Sequence, residues 1–368
     1  MNRRDTAHSC VDAQGRRWPV LEGIAFARVS RAALAAEALA LLDAGEQERA
    51  LVLLLADQDD WWNGPAAEPE ALRELVQKAD GLSLRQAMAL LAWGPVADYF
   101  AHRWSDATFM AGLALTEAHW NAPRSAFELA CGIGHHLRAL AQHGVEVSGA
   151  DIVFAKLWVA RRWVVPEAEL TCLDAASQPW PVREDARFDL VTCHDAFYFL
   201  EPKGAIVTRL RDMLRPGGVL AVSHIHNREW PNLSAGAAVT AAELSTLFPD
   251  THVYDDAELS RAALDRRTPR AALPETLRGA EAFSVALASG QAMPVKGRLV
   301  LPPAGAPLRR NPLYRNGQIA WPSERYAGEY GPRAPYPPHT ECPETARLDP
   351  GTEGWALRRE LLDLPERW

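Results

Sequence analysis

The stretch Phe127-Glu-Leu-Ala-Cys-Gly-Ile-Gly-His-His-Leu137, followed by Gly149-Ala-Asp151, decides the fold. An apolar strand runs into a glycine turn, the turn opens a helix, and a second strand ends on an acid. Gly132 and Gly134 lack a Cβ, so the backbone there can turn tightly and approach a ligand closely. Leu137, Leu140 and Ala141 fall at helical spacing, and Gly144 sits where that helix should stop. Asp151 follows the turn by roughly 20 residues, a position from which a carboxylate can bond a ribose diol. This is the layout of a nucleotide-cofactor site in an α/β sheet.

A dinucleotide site asks for Gly-x-Gly-x-x-Gly, and the third position here is Leu137. A nicotinamide oxidoreductase is therefore the weaker reading. The stretch instead resembles motif I of the class I S-adenosylmethionine-dependent methyltransferases, acidic-x-x-Cys-Gly-x-Gly. Thr171-Cys-Leu-Asp174 is similar to the family's third strand with its terminal acid. Arg187-Phe-Asp-Leu-Val-Thr-Cys-His-Asp195 is similar to the fourth strand, entered through Phe-Asp-x-Val. Ile206, Leu210, Met213 and Leu214 mark one face of a helix. Leu214-Arg-Pro-Gly-Gly-Val-Leu-Ala-Val222 then resembles the turn into a buried fifth strand.

The resemblance covers 121–290 and implies a Rossmann-like α/β sheet with helices on both faces. It implies S-adenosyl-L-methionine as the cofactor. By position in the motifs, Glu128, Ala130, Cys131, Gly132, Gly134, Asp151, Ile152, Asp174, Ala175 and His194 are expected to bind it.

Composition bounds the rest. A chain of 368 residues, 48% hydrophobic, can hold one large domain with additions or two domains. The net charge is −8 and no basic stripe is present, which argues against a nucleic-acid partner held by phosphate contacts. The five cysteines are scattered, with no Cys-x-x-Cys pair. That pattern disfavours a disulfide framework or a structural zinc and fits a reducing cytoplasm. The first residues lead into no apolar signal region. The longest fully apolar run of the amino-terminal third, Ala50–Ala56, is too short to span a bilayer, so no membrane partner is expected.

The expected organisation has four parts. Residues 1–30 read as a small β element, with Gly15-Arg-Arg-Trp-Pro-Val-Leu-Glu-Gly-Ile24 alternating between turn glycines. It is similar to the second half of a Trm112-like zinc module that has lost its zinc cysteines apart from Cys10, or it is a simple hairpin. Residues 31–120 read as a helical cap. Within it, Asp57-Gln-Asp-Asp-Trp-Trp62 reads as a helix end packing two tryptophans on the core, in preference to lining a pocket. Residues 121–290 are the methyltransferase domain, with a helix over Thr240–Phe248, final antiparallel strands at Thr251–Tyr254 and Phe283–Ala288, and an insertion of unassigned shape at 255–280. Residues 291–368 are rich in proline and aromatics, and the aromatics favour an ordered wrap ending in a helix at Trp355–Leu364. Disorder or a partner-binding arm are the alternatives. Asn311-Pro-Leu-Tyr314 resembles the Asn-Pro-Pro-Tyr motif of amino-methylating enzymes, but it lies far beyond the fourth strand and reads as a turn.

Ligands of open α/β sheets bind beyond the carboxyl ends of the strands. His194 and Asp195 end the fourth strand, His224 and His226 end the fifth, and Tyr198 lies on the loop between. The candidate catalytic residues are therefore His194, His224, His226 and Tyr198. His194 ranks first as base, since in similar enzymes the residue after the fourth strand lies near the methyl group. Each histidine also has a purely structural reading. His224-x-His226 with His194 and Asp195 has metal-ligating chemistry, but the family resemblance places no metal there and none is expected. His135 and His136 begin a helix whose positive end disfavours their charged forms. The leading expectation is methyl transfer to a small-molecule acceptor, oxygen over nitrogen, in secondary metabolism. A non-catalytic cofactor-binding scaffold is the second reading.

Overall fold

The computed structural model describes residues 3–177, 180, 186–231, 236–273 and 276–368. Met1 and Asn2 of the amino-terminal element and 274–275 of the 255–280 insertion lie outside them. Four short strands open the chain: β1 (Arg3–Thr6), β2 (Ser9–Val11), β3 (Arg17–Leu21) and β4 (Ile24–Ala27). They form an antiparallel meander. Six helices follow: α1 (Ala32–Asp43), α2 (Gln47–Leu55), α3 (Pro69–Lys78), α4 (Leu84–Leu90), α5 (Pro95–His102) and α6 (Ala107–Ala118). Local chemistry sets their starts. α3 and α5 begin on proline, whose fixed φ suits a first turn. Ser83 and Gln86 form a capping box on α4. Every residue of α6 is buried, as befits a helix that is apolar on nearly all sides.

The central sheet is built from β5 (Ser125–Leu129), α7 (His135–Gln142), β6 (Glu146–Asp151), α8 (Phe154–Val159), β7 (Glu169–Leu173), β8 (Phe188–His194), α9 (Lys203–Asp212), β9 (Leu214–His226), α10 (Ala241–Leu247), β10 (His252–Asp255), α11 (Asp256–Leu264) and β11 (Ala282–Leu287). Strand order is β1-β2-β3-β4-β7-β6-β5-β8-β9-β11-β10. The ladder from β4 to β9 is parallel, and β11 and β10 close the far edge antiparallel. The amino-terminal β element is therefore an extension of this sheet, because β4 pairs with β7 at Ala25–Thr171, Phe26–Cys172 and Ala27–Leu173. Chain order reverses between β5 and β8, which opens a crevice at the carboxyl ends of those strands. Leu137, standing where a third glycine would, is accommodated by Gly149 on the neighbouring strand. A Cβ on Gly149 would lie 2.6 Å from Leu137 Cδ1 and 2.8 Å from Cys131 Sγ.

The tail is β12 (Pro307–Arg310), β13 (Tyr314–Arg315), β14 (Gln318–Ile319), α12 (Glu324–Tyr330), β15 (Thr345–Arg347), α13 (Glu353–Leu357) and β16 (Leu361–Leu362). The final helix expected over Trp355–Leu364 stops at Leu357. The chain then turns through Arg359, at φ 60°, so that β16 can pair with β12. Backbone pairing there replaces the last helical turns. A buried carboxylate holds the start of the tail: Glu117 on α6 accepts from the backbone N–H groups of Lys296, Gly297, Leu299 and Val300 at 2.6–3.1 Å. Arg138 on α7 forks onto Asp363, and the Trp368 indole donates to the Ala101 carbonyl at 2.8 Å. Asn311 is a buried turn residue that accepts from the Leu313 N–H and donates to the Arg359 carbonyl. Among the described residues, no helix is long and apolar enough to cross a membrane. All five cysteines are buried, and none is joined in a disulfide among the described residues.

Candidate functional site

The crevice at the strand ends opens into a cavity of about 490 Å³. The turn after β5 builds its floor with Ala130, Gly132 and Gly134 all at positive φ, 56°, 55° and 83°. At Gly134 a Cβ would lie 2.7 Å from Val165 Cγ1, and at Gly132 it would press on the Phe100 ring at 3.2 Å. Asp151 braces this turn from the end of β6. Its Oδ2 accepts from the Gly132 N–H at 2.9 Å and its Oδ1 from the Val153 N–H at 3.0 Å. A carboxylate offers about four acceptor positions, so two remain for a diol. Asp174 caps its own loop by accepting from the Ala176 N–H. Glu128, Ala130, Cys131, Gly132, Asp151, Ile152, Asp174, Ala175 and His194 all line the cavity. Gly134 lies outside its lining and serves the turn itself.

His194, Tyr198, His224 and His226 line the same cavity. Their environments differ. His194 is buried, shares a 2.7 Å hydrogen bond between its Nδ1 and Ser223 Oγ, and stacks on His136 at 4.1 Å. Burial holds its basicity well below the ordinary range. His226 lies flat on the Tyr198 ring at 3.7 Å, and burial, with His224 nearby, brings it down to about 4. His224 Nδ1 lies 2.6 Å from Asp256 Oδ2. A carboxylate only accepts, so Nδ1 carries the proton and Nε2 is left free to accept. That Nε2 lies 3.8 Å from Asp195 Oδ1. Burial alone would lower His224, but Asp195 and Asp256 outweigh it and raise it above 6.5.

Asp195 organises this wall. Its Oδ2 receives the Tyr99 hydroxyl at 2.9 Å and an Arg103 guanidinium nitrogen at 2.8 Å. Its Oδ1 receives the Tyr198 hydroxyl at 3.2 Å. Arg103 also reaches Asp106 at 3.0 Å. Burial would raise Asp195, but Arg103 and His224 hold it down at about 2. Deeper in, Glu128 is raised to about 7, chiefly by burial. Its Oε2 and the Nε2 of His136 have no hydrogen-bond partner among the described residues, leaving two buried polar atoms beside the cavity. The histidines and acids fall into two groups with ligand atoms within 4.8 Å: Glu128, His136 and His194, and Asp195, His224 and His226. His194 thus belongs with Glu128, apart from the His224-x-His226 pair. In the second group Arg103 already neutralises Asp195, which opposes a cation there.

Two chain segments remote in sequence roof the cavity. α12 and its continuation contribute Tyr326, Glu329, Tyr330 and Arg333. The loop after α2 contributes Trp61 and Trp62. The expectation that both tryptophans pack on the core holds for Trp62, which is partly buried against it, and is corrected for Trp61. α2 ends at Leu55, and Trp61 stands 55% exposed against Phe199 at the cavity rim, with ring centroids 5.6 Å apart. Tyr99, Arg103, Asp256, Tyr330 and Arg333 escaped the sequence reading. Tyr99 and Arg103 sit four residues apart and face inward together, a spacing visible in the sequence. No local signal marks Asp256, which reaches the site by opening α11 beside β9.

The family of methyltransferase domains matches residues 126–218. These are the residues from β5 through the turn into β9. Residues 126–218 are a class I S-adenosylmethionine-dependent methyltransferase domain. Among curated proteins, the chain is 34% identical to the trans-aconitate 2-methyltransferase of Delftia acidovorans over 109 residues, 29% of this chain and 40% of that protein. It is 26% identical to the ubiquinone biosynthesis O-methyltransferase of Stutzerimonas stutzeri over 135 residues, 36% of this chain and 57% of that one. The chain thus spans about half the length of these relatives. Among solved structures, the methyltransferase domain is similar to CalS10, an amino pentose methyltransferase from Micromonospora echinaspora, at 27% identity and a TM-score of 0.28, covering 33% of this chain and 52% of that one.

Proposed function

We propose that this chain transfers a methyl group from S-adenosyl-L-methionine to a hydroxyl on a small, planar aromatic molecule. The observation that carries the reading is His224 on the cavity wall with Asp256 hydrogen-bonded behind it. When bound, the cofactor supplies a methyl group on a positively charged sulfur, already activated for displacement. The positive-φ turn at Gly132 gives it close backbone, the remaining lone pairs of Asp151 suit its ribose diol, and Ile152, Asp174 and Ala175 line the adenine side.

A hydroxyl acceptor must lose its proton as it reacts. His224 has its Nδ1–H fixed on Asp256 and a free Nε2 for that proton. The surrounding charges favour the transfer. Asp195 and Asp256 both lie beside His224 and favour its protonated form. Phenols ionise near the tyrosine value of about 10, within reach of an imidazole, whereas aliphatic alcohols lie far above it. Tyr99, Tyr198, Tyr326, Tyr330, Trp61 and Phe199 offer flat faces to such a ring. Within this proposal His194 packs beside the reacting groups, His226 steadies Tyr198, and the helical segment and tail set specificity. Small-molecule metabolism in a reducing compartment fits the buried thiols, none of them joined in a disulfide among the described residues.

The test is turnover of a panel of hydroxylated aromatics, aliphatic alcohols and amines, read as S-adenosylhomocysteine formation. Phenols should be methylated and aliphatic alcohols should not. Transfer confined to amines would overturn the hydroxyl reading. Calorimetry with binding of NAD and none of S-adenosylhomocysteine would overturn the cofactor.

A further inference from the structure

A second cavity lies behind α7, against the tail. Its walls include Trp104, Phe109, Arg138, His143, Arg359 and Asp363. At about 30 Å³ it has room for a guest of roughly water size, too little for a phosphate or a carboxylate ligand. Arg359 enters from the turn between α13 and β16. It is only 6% exposed, and its Nε and Nη2 are buried without a hydrogen-bond partner among the described residues.

The charges around this cavity do not balance. Asp363 is the carboxylate in its wall, and it is spent on Arg138 and Gln142. Burial keeps His143 below its ordinary range, so it adds no countercharge. Arg359 keeps its charge at neutral pH, although burial lowers it to about 10. The Phe109 ring, 5.8 Å from the guanidinium carbon, makes a weak contact and neutralises nothing. A buried charge without a partner is strongly disfavoured, and a water molecule would satisfy its N–H groups while leaving the charge.

We propose that this cavity binds a single halide ion, chloride in the cell, held by the guanidinium of Arg359. The ion balances the guanidinium and fastens the α13–β16 turn onto α7. The site is separate from the methyl-transfer cavity and stands whether or not that function is correct.

Two measurements on the full chain test it. Crystals soaked in bromide should show an anomalous peak within hydrogen-bonding distance of the Arg359 guanidinium. Thermal unfolding at constant ionic strength, with gluconate exchanged for chloride, should show a saturable rise of a few degrees. Arg359→Met removes the charge and keeps the volume, so it should fold and lose the chloride dependence. Should that variant fail to fold, the bromide peak and the chloride response of the parent protein still decide. Absence of both in the parent, or an equal chloride response in Arg359→Met, overturns the proposal.

Discussion

His224 and Asp256 lie 32 positions apart in the chain, yet Nδ1 and Oδ2 meet at 2.6 Å. The Ser284 hydroxyl holds the other carboxylate oxygen at 2.5 Å. β9, α11 and β11 therefore each contribute one member of a hydrogen-bonded relay that leaves His224 Nε2 3.8 Å from Asp195 Oδ1. His224→Asn should lower turnover by roughly 100- to 10,000-fold and leave S-adenosylhomocysteine binding intact. Wild-type turnover within a few-fold would remove His224 from the mechanism.

The pH dependence follows from the same pair. Two carboxylates raise His224 above 6.5 against the effect of burial. Its base form grows as pH rises through that value, so turnover should climb along a limb lying above 6.5. Asp256→Asn removes one raising influence, and the limb should move to lower pH as turnover falls. A limb that stays in place would show that Asp256 does not act through His224. The stability contribution has the opposite sense. It is complete below the unfolded value of 6.5 and is lost as pH rises through the raised folded value.

Glu128 makes a second pH signature. Burial raises it from 4.5 to about 7, so the folded protein holds a proton that the unfolded chain has lost. Stability should fall as pH rises between those two values. Glu128→Gln, followed by urea unfolding at several pH values, should flatten that slope.

Cofactor binding depends on the turn that Asp151 braces. Asp151→Ala removes acceptors for two backbone N–H groups as well as for a ribose diol, and charge-assisted bonds of this kind are worth about 1.5–3 kcal/mol each. Calorimetry should record at least a tenfold loss of S-adenosylhomocysteine affinity, by that same scale. Unchanged affinity in a folded variant would mean that the acid is misassigned.

Glu117→Ala should loosen the tail. It leaves four backbone N–H groups of the 296–300 loop without their acceptor. Leu299 and Val300 are the fully buried pair among them; at about 1–3 kcal/mol per buried group, a loss near 3 kcal/mol or more is expected in urea unfolding. Limited proteolysis should cut first in this loop. An unchanged unfolding midpoint would show that the loop finds other partners.

Trp61→Ala separates substrate contact from stability. The side chain is half exposed at the rim, so unfolding should change by no more than about 0.5 kcal/mol. The KM for a hydroxylated aromatic should rise severalfold. An unchanged KM would place the ring contact elsewhere.

The sequence by itself determined the central strands of the sheet, from β5 to β9, while the joining of β4 to β7 was left to tertiary pairing. Glu128 to Gly134, Asp151, Asp174 and the runs into His194 and His226 each combine a buried apolar strand with a turn or an acid at its end. Those are local signals, written within a few residues. The paired antiparallel strands at the far edge were equally legible from their alternation. Trp61 misled, because aromatic residues beside a helix end usually pack inward, and nothing local reveals that its loop borders a cavity. Tertiary structure alone decided the chemistry of the wall. His194, His224 and His226 look alike in the sequence, each a histidine at a strand end. Burial and stacking weaken two of them, and Asp256, arriving from another helix, strengthens the third. Such a ranking depends on distances of a few ångströms between segments far apart in the chain, and only the packing of α11 and the tail against the sheet sets them.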